Sequence, residues 1–276
     1  MSFVWAILIV GLAVSLAVAA MLFVRRRAPE GSFFADGDRA AGVFGVLATG
    51  FSVLLGLIVF LAFTSYDKSR SGAETEALLI GQQFETAQFF PAEVRETLGD
   101  ELVCYARSVV HLEWPKMQSG DHGQMYNPWG LAMFRTLKVT TPRTPVEQMA
   151  YGEWLDRRAD REVARQDRLH GAEGVIPGPL WVVLFFIAAV IFVFMFFFAD
   201  SGERAVVQGV LIGSVVVVIG VTLLLIRFLD NPLRDGYGSL KPVAMERTLA
   251  LLRQERRLVG QSGPLPCDER GAPSGS

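Results

Sequence analysis

Charge is missing from this chain in long blocks. No Asp, Glu, Lys or Arg occurs in Met1–Val24, Ala40–Tyr66, Val175–Ala199 or Ala205–Ile226. A buried helix of a soluble protein rarely stays apolar that long, whereas crossing a hydrocarbon core of roughly 30 Å takes about 20 apolar residues. These gaps exclude a soluble protein and predict four membrane-spanning helices, two before and two after a long polar insert. A basic excess is lacking as well. The net charge of −2 gives no reason to expect nucleic acid as a partner, because phosphate binding draws on clustered Lys and Arg. Cysteine and histidine are scarce. Cys104, Cys267, His111, His122 and His170 are scattered without metal-ligand spacing, so neither a metal site nor a cofactor is expected. Two isolated cysteines do not identify a redox compartment. No nucleophile–base constellation is visible, and an enzyme is not expected.

What is present fits the bilayer. Apolar residues make up 51% of the chain, and seven of its 20 phenylalanines fall in Phe185–Phe198, as a lipid-facing span tolerates. The first stretch carries Ala17-Val18-Ala19, a small-residue pattern found at signal cleavage sites. No basic residue precedes it, however, and Arg25-Arg26-Arg27 follow at once, so the segment reads as a retained span. The same triplet favours the Arg25–Arg39 loop on the cytoplasmic side. The turn Asp200–Arg204 then lies on that side too. The insert and the carboxy-terminal tail face outward, giving a multi-pass protein of the cell (inner) membrane with an extracytoplasmic side domain.

The insert reads as helical. Ala73, Ala77, Ile80, Phe84 and Ala87 recur in steps of four and three, one face of a helix continuing out of the membrane. Pro91 opens a second helix with a stripe of Val94, Leu98, Leu102, Tyr105, Val109 and Leu112, closed by Trp114-Pro115. Gly120–Pro128 reads as a loop, with Asp121, Gly123 and Asn127 as its turn formers. Thr144-Pro145-Val146-Glu147 is a capping box that starts a third helix. Pro177, Pro179 and Trp181 mark the return to the bilayer. Beyond the fourth span a last helix covers about Pro242–Arg257, with Met245, Leu249 and Leu252 on its apolar side. From Gly260 the chain is too poor in apolar residues to fold. The expected architecture is all-α: a transmembrane hairpin at 1–66, a helical extramembrane domain at 67–174, a second hairpin at 175–228, a post-membrane segment at 229–259 and a disordered tail at 260–276.

Several groups are candidates for function. Arg158, Arg161, Arg165 and Arg168 form a stripe at helical spacing. It would draw anions toward a pore mouth, or be a solvated face paired with Asp156, Asp160, Glu162 and Asp167. Asp230 and Asn231 follow the last span and would cap a turn or hold an ion. Glu74, Glu76 and Glu113 would gather a cation, or pair with Arg70 and Arg107. Gly209 and Gly213 give the fourth span a close-packing face suited to helix or oligomer contacts, and Gly42, Gly45, Gly50 and Gly56 do the same for the second. The second span contains no ionisable residue, which excludes a proton relay within it. A permeation path there is apolar, with Phe51, Gly56, Phe60 and Phe63 as its lining.

These residues resemble a known group. Leu55-Gly56-Leu57-Ile58-Val59-Phe60 with Tyr66, Arg70 and Glu76-Ala77 is similar to the second-span signature of the bacterial bestrophin-like membrane proteins. The match continues through Tyr105-Ala106, Val109-Val110, Glu113-Trp114-Pro115, Ile176-Pro177, Leu180-Trp181 and Leu229-Asp230-Asn231-Pro232. It spans about residues 40–250, and its most specific parts are Glu-Trp-Pro and the Leu-Asp-x-Pro exit. Where that family has Pro-Phe-x-Gly, this chain reads Pro232-Leu233-Arg234-Asp235-Gly236, without the aromatic and one residue longer. The resemblance implies an oligomeric, pentameric anion channel whose second span lines the pore with phenylalanines, and in which Glu76, Glu113, Trp114, Pro115 and Pro232 are motif residues. It also implies a cytoplasmic side domain, opposite to the face that the arginine triplet favours. The alternative reading of the same architecture is a membrane-anchored scaffold or sensor whose side domain binds a partner without permeation.

Overall fold

The structure is a computed structural model and describes residues 3–30, 33–120, 126–236, 238–261 and 263–274. Residues 121–125 of the expected Gly120–Pro128 loop, His122 included, lie outside the described residues. The described residues are helical and contain no strand beyond an isolated bridge between Cys267 and Pro273. Four helices are long and apolar enough to cross a membrane. They are α1 (Phe3–Arg25), α2 (Gly37–Ala87), α7 (Gly178–Phe197) and α8 (Ala205–Asp230). Even α7, the shortest at 20 residues, rises about 30 Å at 1.5 Å per residue. The protein is therefore an all-α membrane protein with a helical side domain inserted between its second and third spans. The remaining helices are α3 (Ala92–Ser108), α4 (Trp114–Ser119), α5 (Pro128–Val139), α6 (Pro145–Glu173) and α9 (Val243–Leu258).

The chain divides into two compact units. Met1–Ser65 with Gly174–Asp230 form one, and Tyr66–Glu173 with Asn231–Ser276 form the other. In the first, α2 presents Phe51, Leu55 and Ile58 to Leu184, Ala188 and Ile191 of α7 and to Ile219 and Ile226 of α8. Helix α1 lies along α8. A methyl group placed on Gly209, Gly213 or Gly220 would touch Val18, Val14 or Val10 at 3.5–3.6 Å. The small-residue face of the fourth span, expected to serve helix or oligomer contacts, packs against a helix, α1 of the same chain. Close approach of backbones is what such residues permit in lipid.

The second unit has a continuous core. Ala77, Ile80, Phe84 and Ala87 from α2 meet Leu98, Leu102, Tyr105 and Val109, Met133 and Leu137 of α5, Trp154 of α6, and Met245, Leu249 and Leu252 of α9. The Ala73–Ala87 stripe, expected as one face of a helix continuing out of the membrane, is covered by these elements. The capping box forms as expected: Thr144 Oγ1 accepts from Glu147 N–H at 3.2 Å, and Glu147 Oε2 accepts from Arg143 and Thr144 N–H.

Three local expectations are corrected. Trp114-Pro115 does not end the second helix of the insert. A π turn, Val109–Glu113, joins α3 to α4, and Pro115 sits in the first turn of α4. A proline lacks an N–H and clashes with the carbonyl four residues back, and one wide turn absorbs both defects. Helix α5 was not foreseen; Asn127 caps it through Trp129 N–H at 3.1 Å and Pro128 sits at its first position. Residues 263–274, expected to be disordered with the rest of 260–276, are held in place. Cys267 is joined to Cys104 by a disulfide, Arg107 donates to the Asp268 carbonyl at 2.9 Å, and Trp129 Nε1–H donates to the Gly271 carbonyl at 2.7 Å. Composition weighs only apolar burial, and a covalent bond to α3 substitutes for it here.

Candidate functional site

The arginine stripe of α6 turns inward. Arg161, Arg165 and Arg168 are buried, and the half-buried Arg158 lies over the Phe134 ring at 4.7 Å. Arg168 is 0% exposed. Its Nε and Nη2 engage Glu76 Oε2 and Oε1 at 2.5 and 3.1 Å, and Nη2 also reaches Glu113 Oε2 at 2.7 Å. Arg165 pairs with Glu113 Oε1 at 3.2 Å, and Asn127 Nδ2 donates to the same oxygen at 2.8 Å. Tyr105 donates its hydroxyl to Glu76 Oε1 at 2.6 Å. Neither the anion-attracting vestibule nor the solvated face describes this stripe. Of the interleaved acids, Glu162 reaches Arg165 only at 4.0 Å, and Asp167 instead pairs with Lys68. Glu76 and Glu113 therefore act as counter-ions to arginines rather than as a cation site, with Arg168 and Arg165 in place of the Arg70 and Arg107 expected. Arg70 pairs with Glu74.

Burial and pairing oppose each other in this cluster. Burial raises the Glu113 carboxyl, and Arg168 and Arg165 more than reverse it, holding Glu113 below its ordinary range. Burial lowers Arg168, while Glu76 and Glu113 raise it well past its normal value. Arg161 has no carboxylate at bonding distance; it donates to Gln83 Oε1 at 2.7 Å and faces the Tyr105 ring at 4.9 Å. Its proton is held less firmly than usual because burial dominates. The whole set is a closed ionic lock that ties α2, α3, the π turn and α6 into one body.

The motif residues gather around the same lock. Glu76 and Glu113 hold Arg168, and the Trp114 ring lies 5.8 Å from its guanidinium. The Trp114 indole donates to the Leu240 carbonyl at 3.3 Å. Pro232 accepts at its carbonyl from Leu240 N–H and lies against Gly171 of α6. Pro115 is exposed. Asp230 acts as a cap: its Oδ1 accepts from Val175 and Ile176 N–H at 2.8 and 2.9 Å, fixing the approach to α7. Asn231 sits in the following turn, its carbonyl accepting from Arg234 N–H.

The candidate pore residues of α2 do not share one face. Phe51 is buried against α7 and α8, 4% exposed, whereas Phe60 and Phe63 are 61% and 54% exposed. Phe51 and Phe60 lie about 180° apart around the helix, while Gly56, Phe60 and Phe63 fall within about 60°. Phe51 is a core residue of the first unit; Gly56, Phe60 and Phe63 form an uncovered stripe. Around Gly42, Gly45, Gly50 and Gly56 no atom lies within 4 Å of an added methyl group. Sequence inspection missed Gly72 and Gly171, where α2 meets α6 with no room for a side chain: a methyl on Gly72 would stand 2.7 Å from the Ala164 carbonyl oxygen. Their signal is a small residue inside a helix that is otherwise bulky on that side.

Among the described residues no group of three or more His, Cys, Asp or Glu converges on a metal position. The family model described as the Bestrophin-like domain matches residues 11–242. Among solved structures, a point variant of a bacterial bestrophin homologue from Klebsiella pneumoniae superimposes with a TM-score of 0.65 at 13% identity, covering 94% of this chain and 99% of that one. Another structure of the Klebsiella pneumoniae homologue gives 0.65 at 12% identity over 95% of this chain and 100% of that one. No curated protein sequence matches significantly. At these identities the structural likeness establishes the fold.

Proposed function

This chain belongs to the bestrophin-like family, and from that premise we propose that it is one subunit of an oligomeric ion channel whose conduction path is lined by α2. The carrying observation is the stripe of Gly56, Phe60 and Phe63, whose two rings are more than half exposed in the single chain. A single lipid-facing stripe would be unremarkable in a membrane. Open space at Gly42, Gly45, Gly50 and Gly56 along the same helix suits instead the close approach of α2 from further copies. A ring of phenylalanines with no charge blocks ions by excluding water when narrow enough.

Anion preference is the finer part of the proposal and rests on the family rather than on the α6 arginines, which are locked inside the side domain. The Cys104–Cys267 disulfide supports placing the side domain and the tail in an oxidising compartment, as the Arg25-Arg26-Arg27 triplet does by the positive-inside tendency.

The test is planar-bilayer recording of reconstituted wild type and Phe60→Ala, with the mass of each assembly measured in nanodiscs. Phe60→Ala is expected to raise unitary conductance while the oligomer persists. Equal silence of both proteins as intact oligomers would favour a scaffold, and a 30.3 kDa monomer would remove the channel altogether.

A further inference from the structure

The side domain holds a cleft of about 260 Å³, framed by α2, the π turn and its flank, α6, and the segment that leads into α9. Its lining is two-sided. Ala73, Val243 and Ala244 supply an apolar surface over the buried Val109 and Trp114, and the exposed charges around it are Arg70, Lys241 and Arg247 with the Glu74 carboxylate. Arg70 is balanced by Glu74 at 3.1 Å and Lys241 by Asp235 at 2.9 Å. Arg247 has no hydrogen-bonding or ion-pair partner among the described residues. At the base Glu76 is fully committed to Arg168 and Tyr105, so it neither repels nor accepts a ligand as a free carboxylate would.

The backbone beside the cleft is irregular. The π turn Val109–Glu113 widens the helix between Val109 and Trp114, both of which line it. Such turns recur at functional sites because they re-aim side chains at a structural cost. Here one turn serves two ends: it delivers Glu113 to the ionic lock and packs Val109 and Trp114 beneath the floor of the cleft.

We propose that this cleft binds a small organic monoanion, a carboxylate with a compact apolar or aromatic body, its charged end held by Arg247 and its body against Ala73, Val243 and Ala244. Pockets for drug-sized molecules run roughly 300–1,000 Å³, so the volume restricts the ligand to a smaller one. A guanidinium suits a carboxylate because its planar fork matches two oxygens. The apolar surface disfavours a bare, fully hydrated anion, whose shell would have nothing to replace it. The proposal is independent of conduction, since it concerns the second unit alone.

The probe is 4-fluorobenzoate, observed by 19F NMR with the full-length protein in nanodiscs and with empty nanodiscs as background. Saturable binding near one probe per chain is expected, weakened about tenfold or more in Arg247→Ala, the loss typical of one charge-assisted hydrogen bond. Binding is expected to vanish in Arg247→Glu and in Val243→Trp, which blocks the opening from a half-exposed position. Both sites are on the surface, and an unchanged melting temperature confirms that each variant is folded. Benzyl alcohol, the neutral counterpart, should not compete. Equal binding to wild type and Arg247→Glu, or none beyond empty nanodiscs, overturns the site; displacement by inorganic phosphate as effective as by benzoate overturns the organic ligand class.

Discussion

Arg168 serves two carboxylates at once, and that sharing sets the energetics of the side domain. Removing one partner of a buried ion pair costs about 3–5 kcal/mol, because the remaining charge stays out of water without compensation. Arg168→Met is therefore expected to lower the melting temperature sharply. The double variant Arg168→Met with Glu76→Gln should be less damaged than Arg168→Met alone, because it neutralises the carboxylate that the single variant strands and leaves Glu113 paired with Arg165; a double variant worse than the single would show that the lock contributes more than mutual neutralisation. A second carboxylate behaves oppositely. Glu101 is buried between α3 and α5 with the Thr136 hydroxyl as its partner, and burial pushes its carboxyl up to about 7. Its folded value lies above its unfolded one, so its contribution to stability is full below the ordinary carboxylate range and is lost as pH rises toward 7. Glu101→Gln is expected to stabilise the protein near neutral pH by on the order of 1–3 kcal/mol and to flatten its melting temperature between about pH 4.5 and 7. A pH profile identical to that of wild type would contradict this.

At the scale of elements, glycine has two uses along α2. Gly72 stands against the α6 backbone, with the Ala164 carbonyl oxygen and the Arg168 amide nitrogen both 2.7 Å from an added methyl group. Overpacking at such a site costs about 1–3 kcal/mol, and here it would also push α6, and Arg168 with it, away from Glu76. Gly72→Ala should lower the melting temperature of the side domain, and Gly50→Ala, which meets nothing within 4 Å, should not. If Gly50→Ala instead weakened the oligomer while the chain stayed folded, the open glycines would be assigned to contacts between copies. Helix α9 is positioned by its apolar face and by Thr248, whose hydroxyl donates to the Ala77 carbonyl of α2 at 3.1 Å. This accounts for a helix that composition alone places but does not dock.

At the largest scale, the second unit is closed by a carboxy-terminal segment bonded back to α3. The disulfide joins residues 163 apart in sequence, and in the chain-entropy view a loop of that length gives ~5 kcal/mol, with strain and residual structure reducing what is measured. Around it Arg256 pairs with Asp100 at 2.7 Å, and a methyl on Gly271 would strike the Ser108 backbone. Cys267→Ser should leave the four spans inserted, lower the melting temperature of the side domain by several degrees and make the segment after Gly260 sensitive to protease. Alkylation of Cys104 in unlysed cells without prior reduction would show the two thiols free and would place the domain in a reducing compartment.

The four spans were legible in the sequence because insertion depends on local composition: about 20 apolar residues satisfy the bilayer wherever the rest of the chain lies. The periodic stripes of the insert and the Thr144–Glu147 box were legible for a similar reason, since helix faces and caps are written within a few residues. Partners distant in sequence were not. The α6 arginines carry the same local pattern whether they face water or a core, and only Glu76, 92 residues away from Arg168, and Glu113, 55 away, decide for the core. Phe51 and Phe60 look alike in a charge-free run; α7 and α8 bury one and leave the other uncovered. Two lone cysteines and a glycine-rich tail say nothing of each other until α3 and α5 bring Cys104, Trp129 and Gly271 to one place. Local physics determined which segments are helical and which enter the membrane, and tertiary packing alone determined which charges are silenced, because a charge is neutralised by what the fold sets beside it.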